Sequence, residues 1–333
     1  MTLRLYFVSS VVTLLALGAC APIQASRATD ALDVVPTSAT PAGDSLYVAN
    51  ESSVSVYSLQ TGALLRVVPN GGPRALAFDA KGNLYVANDR ANTVTVYASG
   101  KTSVLRVITS GLDVPNALAF DRSGSLYVSN NHNDTVTVYA AGSSKILRTI
   151  DQGVHGPHDV IFNRLGDLFV GNNGSSHITV YPPGRNNVIR TDITHNGPLA
   201  LAFNHAQDLF CVNNFNVTVY KPGRTEPTRT ISDGISLPST LSFDGTGNLY
   251  VANWGGNMFR SFVSIYAPGE SSPTRQISKG IGYPLSLVFD ASGNLYVANS
   301  AYDTVTEYAP AGSKPARTIS DHVSRPSALA IGP

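Results

Sequence analysis
One short run and its copies constrain this chain more than any other feature. Leu84–Asn88 reads LYVAN, and the leucine of that run or a variant falls at Leu46, Leu84, Leu126, Leu168, Leu209, Leu249 and Leu295. Successive spacings are 38, 42, 42, 41, 40 and 46 residues. Between Pro73 and Ile108 four runs follow one another: Ala75–Phe78, Asn83–Ala87, Thr93–Tyr97 and Val104–Ile108. Each is rich in β-branched or aromatic residues and bounded by turn residues, which is how strands read. A four-strand unit repeating at about 40–45 residues is a β-propeller blade, which buries its faces only by stacking on its neighbours.

The units can be counted four times over. First-strand runs begin at Ala75, Ala117, Asp159, Ala200, Thr240, Ser286 and Ala328. Second strands are the seven LYVAN runs. Third strands end at Tyr57, Tyr97, Tyr139, Tyr181, Tyr220, Tyr266 and Tyr308, and fourth strands carry Arg66, Arg106, Arg148, Arg190, Arg229, Arg275 and Arg317. The first unit lacks a first strand, and the last first-strand run is followed only by Gly332 and Pro333. The C-terminal run can therefore complete blade 1 and remove an open edge. The expected fold is all-β: a seven-bladed β-propeller of four-stranded blades over residues 44–333, closed by its C-terminal strand.

Before it stands a targeting segment. Arg4 precedes the apolar run Leu5–Leu17, too short to span a bilayer, and the run ends Leu17-Gly18-Ala19-Cys20. This resembles a bacterial lipoprotein signal peptide, which implies cleavage after residue 19 and acylation of Cys20. An ordinary secretory signal cut near Ala19 or Ala21 is the alternative. Residues 20–43, rich in Ala, Thr, Ser and Pro, then read as the lipidated cysteine and a flexible tether. The expected location is the periplasm or cell surface, with the membrane reached only through the lipid. The other cysteine, Cys211, reads as a small buried apolar residue. Net charge is +1, from 23 basic and 22 acidic residues with no Lys/Arg run, which offers nothing to nucleic acid.

A residue present in every blade is scaffold, because one ligand cannot need seven copies. The Asn closing each LYVAN copy (Asn50, Asn88, Asn130, Asn172, Asn213, Asn253, Asn299) is expected to bond to the following turn. The fourth-strand arginines read as an exposed outer wall. Asp79-x-x-Gly82-Asn83 and its copies are too short for a calcium loop and read as hairpin turns.

The units PNALAFDRSGSLYVSN and PSTLSFDGTGNLYVAN resemble NHL repeats, and LYVANDRANTVTVY is similar to YVTN repeats. Asn in place of Asp after LYVA leans toward the latter. The resemblance implies a propeller whose binding face carries the loops from strand two to three and from strand four to the next blade. Two sets of non-repeating residues fall there. Trp254 opens the one oversized loop, Trp254–Phe262, and with Phe259, Tyr283 and Tyr302 gives an aromatic set in blades 6 and 7. The residue after each first-strand proline is Ser327, Arg74, Asn116, His158, Leu199, Ser239 or Leu285, so blades 2 to 4 supply Arg, Asn and His together. His132 joins them from a loop of the same face.

The main expectation is a lipid-anchored, extracytoplasmic monomer without a cofactor, binding a protein partner or small ligand on this face. Related families imply an alternative, a metal-assisted lactonase or lyase. Pro115-Asn116 and Gly156-Pro157-His158 resemble parts of such sites, so Asn116 and His158 are the only candidates for a divalent metal. No catalytic residue is assigned. An envelope structural protein without a discrete ligand is the third reading.

Overall fold
Seven antiparallel four-stranded sheets surround one axis in the computed structural model of the protein, which describes residues 45–193 and 197–333. The leader, Cys20 and the tether lie outside the described residues. The inner strands Ala328–Gly332, Pro73–Phe78, Pro115–Phe120, Pro157–Phe162, Ala200–Phe203, Pro238–Phe243 and Pro284–Phe289 contact one another in ring order, and the last meets the first. The chain is a seven-bladed β-propeller. Blade 1 is closed as expected: Ala328–Gly332 pairs antiparallel with Ser45–Ala49, with Leu46 opposite Ile331 and Val48 opposite Leu329. The Tyr47 hydroxyl donates to the Pro333 carbonyl at 2.5 Å, tying the two ends of the ring.

The second strands are buried along their whole length because each lies between two neighbouring blades. Between blades 1 and 2, for example, Tyr47, Val54 and Val56 pack against Leu76, Leu84, Val86 and Tyr97. In six of the seven blades the second-strand aromatic meets, edge-on, the Phe closing the next blade's inner strand; the exception is Tyr296, since the inner strand of blade 1 carries Ile331 there. Tyr47–Phe78, Tyr85–Phe120, Tyr127–Phe162 and Tyr250–Phe289 have centroids 4.9–5.0 Å apart. Such contacts contribute about 0.5–1.5 kcal/mol each beyond area burial. Third-strand tyrosines donate to carbonyls of the chain entering their blade, as Tyr139 does to Ser110 at 2.5 Å and Tyr308 to Lys279 at 2.6 Å.

Two scaffold expectations need correction. The fourth-strand arginines do not stand free on the outer wall. Arg66, Arg106 and Arg148 are half-buried over the rings of Tyr47, Tyr85 and Tyr127 and donate to their hydroxyls at 2.6, 2.6 and 2.5 Å. The LYVAN asparagines bond mainly sideways and backwards in the chain. Asn130 Nδ2 donates to Thr135 and Thr137 on strand three, while its Oδ1 accepts the Asp113 N–H from the loop entering the same blade. The short hairpins behave as expected: Asp79 Oδ1 accepts the N–H groups of Lys81 and Asn83, each at 2.9 Å.

Candidate functional site
Every inner strand is entered through a residue with positive φ just before its proline. Gly72, Gly156 and Gly197 serve in three blades, and Val114, Leu237, Tyr283 and Arg325 in the others. A β-branched residue such as Val114 at φ 52 is strained and must be held in place. The strand two-to-three loop of the preceding blade does this. Asn92 Oδ1 accepts the Val114 N–H at 2.7 Å, Asp134 that of Gly156 at 2.6 Å, and Asp303 that of Arg325 at 2.6 Å. The upper loops of adjacent blades are thereby locked together.

Just past the proline the register slips in blades 2, 3, 4, 6 and 7. The bulge leaves Arg74, Asn116, His158, Ser239 and Leu285 without a strand-two partner and re-aims their side chains. In blades 2 to 4 they reach along the ring. Arg74 Nε donates to Asn116 Oδ1 at 2.9 Å, Asn116 Nδ2 donates to the His158 carbonyl at 3.0 Å, and His158 Nδ1 lies 2.8 Å from the Leu199 carbonyl. A carbonyl only accepts, so Nδ1 carries the proton. Asn116 and His158 are buried and Arg74 half-buried. Ser327 extends the line backwards, donating to the Pro73 carbonyl at 2.9 Å. The three residues thus form one hydrogen-bonded arc at the channel mouth.

Around the arc lie further charges. Glu51 is 3.5 Å from Arg325 and 4.0 Å from Arg90. His132, exposed at the rim, has Nδ1 3.0 Å from an Asp113 carboxylate oxygen. One residue that the sequence analysis passed over lies directly below. Asp159 is fully buried, with its carboxylate accepting the N–H groups of Val160 at 2.9 Å and of Leu201 in the next blade at 2.8 Å. Burial pushes its pKa up to about 7 against those two hydrogen bonds. The signal was available: this position holds Ala, Thr or Ser in every other blade.

The aromatic set also comes together. The rings of Trp254 and Tyr283 have centroids 5.6 Å apart, and Trp254 Nε1 donates to the Pro284 carbonyl at 3.3 Å. The Tyr302 ring covers Gly282, where a Cβ would fall 2.6 Å from it, and its hydroxyl donates to the Met258 carbonyl at 3.3 Å. Asn257 caps a short 3-10 turn, Met258–Arg260, that holds Phe259 out into solvent at 78 % exposure. With Tyr302, Phe215 and Leu237, it makes the exposed large apolar residues of the upper loops fall in blades 5 to 7.

A divalent metal does not fit the arc. Asn116 Oδ1 accepts from a guanidinium, and no carboxylate stands among the seven positions after the inner-strand prolines. Among the described residues no group of three His, Cys, Asp or Glu side chains could hold an ion. A cleft of about 410 Å³ lies elsewhere, on the lower face between blades 5 and 6, lined by Asp208, Phe210, Lys221, Arg229 and Glu270 among others. Phe210 there lacks the hydroxyl that Tyr47, Tyr85 and Tyr127 offer their arginines. No residue of the arc or of the aromatic set lines it.

Residues 57–188 match the family described as "Lactonase, 7-bladed beta-propeller". Similar solved structures include a candidate 6-phosphogluconolactonase from Bacteroides fragilis, at 17 % identity and TM-score 0.71, covering 89 % of this chain and 99 % of that one. A functionally unknown protein from Desulfotomaculum acetoxidans matches at 14 % identity and TM-score 0.73, over 86 % and 98 % of the two chains. A chain of the mitotic checkpoint complex matches at 14 % identity and TM-score 0.67, over 77 % and 81 %. Likeness at these identities is likeness of fold. No curated protein matches the chain in sequence.

Proposed function
We propose that the channel mouth across blades 2 to 4 hydrolyses a lactone. One coincidence carries this reading: the stretch matching the lactonase family, residues 57–188, contains Arg74, Asn116 and His158, the members of the arc. Ring opening adds water to an ester carbonyl, and negative charge develops on the carbonyl oxygen. Arg74, held by Asn116, is the cation for that oxygen. His158, oriented by the bond from its Nδ1 to the Leu199 carbonyl, is the base that takes a proton from the attacking water. That proton passes to the departing ring alkoxide, and the product is the hydroxy acid. The substrate is a small molecule, and no step is routed through a metal.

The test is acid release in a pH-stat from a panel of five- and six-membered sugar lactones. Wild type should exceed the buffer rate on at least one member, and Arg74→Ala should lower kcat by about 10²–10³. A wild-type protein that accelerates none of them removes the reading. A second reading, capture of a ligand by the aromatic set without chemistry, is favoured by the exposure of Phe259 and Tyr302 alone. For location, the Leu17–Cys20 motif supports an extracytoplasmic protein held by an acylated Cys20. Cys20→Ser should then release it from membranes at high salt or block its maturation, and a matured variant still in the membrane fraction at high salt would refute the anchor.

A further inference from the structure
The lower face, opposite the mouth, is made of the hairpins joining strands one to two and three to four. In blades 2, 3 and 4 each of these hairpins carries an exposed cation: Lys81 and Lys101, Arg122 and Lys145, Arg164 and Arg185. The acids of the same hairpins, Asp79, Asp121 and Asp167, are half-buried and bond within their own turns. Every exposed charge on these hairpins is therefore positive, in a chain of net charge +1. Blades 5 to 7 differ. Their one-to-two hairpins have no Lys or Arg, and their three-to-four hairpins mix Lys221, Arg224 and Lys314 with Glu226 and Glu270.

The outer wall divides the same way. The residue before the fourth-strand arginine is Leu65, Leu105, Leu147 or Ile189 in blades 1 to 4, each about half exposed. In blades 5 to 7 it is Thr228, Thr274 or Ala316, and both threonines turn their hydroxyls back onto strand three. Strand four starts at the lower face. Leu105, Leu147 and Ile189 thus follow Lys101, Lys145 and Arg185 by two to four residues, roughly 7–13 Å of extended chain. Leu165, 79 % exposed, adjoins Arg164.

Exposed aliphatics on an edge strand invite association. We propose that the lower outer rim of blades 2 to 4 docks on an anionic lipid surface. Aliphatic side chains enter the headgroup region while neighbouring Lys and Arg meet lipid phosphates. A second copy of the chain would bring the same cations and repel. A polyanion such as nucleic acid would leave the aliphatics in water. Docking in this way keeps the channel mouth, on the opposite face, open to solvent. The inference is independent of the lactonase reading and of the acyl anchor.

The test is co-sedimentation with vesicles, using the full chain with Cys20→Ser in every arm so that no acyl group contributes. One vesicle type contains about one-third phosphatidylglycerol in phosphatidylcholine, and the other phosphatidylcholine alone. The native rim should bind the anionic vesicles at least tenfold more strongly, since each cation near such a surface strengthens binding several-fold. Lys101→Ser/Lys145→Ser/Arg185→Ser should abolish that preference with an unchanged melting temperature. Leu105→Ser/Leu147→Ser/Ile189→Ser should weaken binding with the charge intact, and Lys221→Ser/Arg224→Ser/Lys314→Ser should bind like the native rim. Equal binding to both vesicles, or no effect of the rim cations, overturns the proposal. So does retention on DNA or heparin without vesicle binding, or a dimer that the aliphatic substitutions dissolve.

Discussion

The channel mouth is built in two ways. Across blades 2 to 4, short loops leave the inner strands within reach, and the bulged residues are Arg74, Asn116 and His158, bonded to one another around the ring. Across blades 6 and 7 the bulged residues are Ser239 and Leu285. Ser239 donates to the Pro284 carbonyl at 2.6 Å, and the chemistry-bearing side chains come instead from the loops, as Trp254, Tyr283 and Tyr302. The backbone is the same in both sectors. One extra residue per inner strand lets a blade choose what it presents at the axis, and one long loop lets another blade cover the axis from outside. The first arrangement fixes polar groups at the axis, and the second lays an apolar surface beside it.

Both sectors depend on closure, so the largest effect should follow its loss. Deleting residues 327–333 removes the inner strand of blade 1 and opens an edge. The expected result is aggregation or loss of cooperative unfolding. A truncated chain that melts like the full one would show that the ring does not need its final strand.

Next is an effect confined to the polar sector. Asp159 lies beneath His158, whereas blade 7 has Ser286 at that position, its hydroxyl accepting the Leu329 N–H. Burial raises the Asp159 pKa from 3.8 to about 7. Between those values the folded state keeps a proton that the unfolded chain loses. Stability should therefore fall as pH rises from about 4 to 7, by up to about 4 kcal/mol, and stay low above. Asp159→Asn should remove this slope in urea melts. If the difference between wild type and variant is flat with pH, the two amide donors hold the group ionised.

The scaffold should respond equally under the two sectors. Asn130→Ala and Asn299→Ala each remove buried bonds to strand-three hydroxyls and leave a loop N–H, of Asp113 or Gly282, without its acceptor. Each should cost about 2 kcal/mol in chemical denaturation. A difference larger than that figure between the two would mean that the blades are not equivalent supports. The smallest effect on the fold is expected from Trp254→Ala/Tyr302→Ala, about 1 kcal/mol or less, because Tyr302 remains 38 % exposed and neither ring belongs to the buried apolar cluster between blades 6 and 7. A collapse in melting temperature would make these rings interior packing.

Blade number, strand order and closure could be read from the chain because alternation of side chains and the positions of its ends are local facts. The partners of repeated polar residues could not. Arg106 meets Tyr85 across two strands, 21 positions away, and no periodicity announces that contact. The aromatic set was legible because its members break the repeat. The arc was legible as a set of residue types at equivalent positions, but not as a bonded line, since a bulge decides where each side chain turns. The cations of the lower rim escaped because Lys81, Lys101, Arg122, Lys145, Arg164 and Arg185 form no run. Only the ring gathers them.

The account rests on a division of labour at the mouth, and a pair of kinetic measurements on one hydrolysed lactone tests it most directly. Arg74→Ala should lower kcat by about 10²–10³ with KM little changed, as removal of a charge acting on the developing oxyanion does. Trp254→Ala/Tyr302→Ala should raise KM about tenfold with kcat nearly intact, as removal of ground-state contact does. If the aromatic change abolishes kcat while Arg74→Ala leaves it untouched, the chemistry lies in blades 6 and 7, and the account is contradicted.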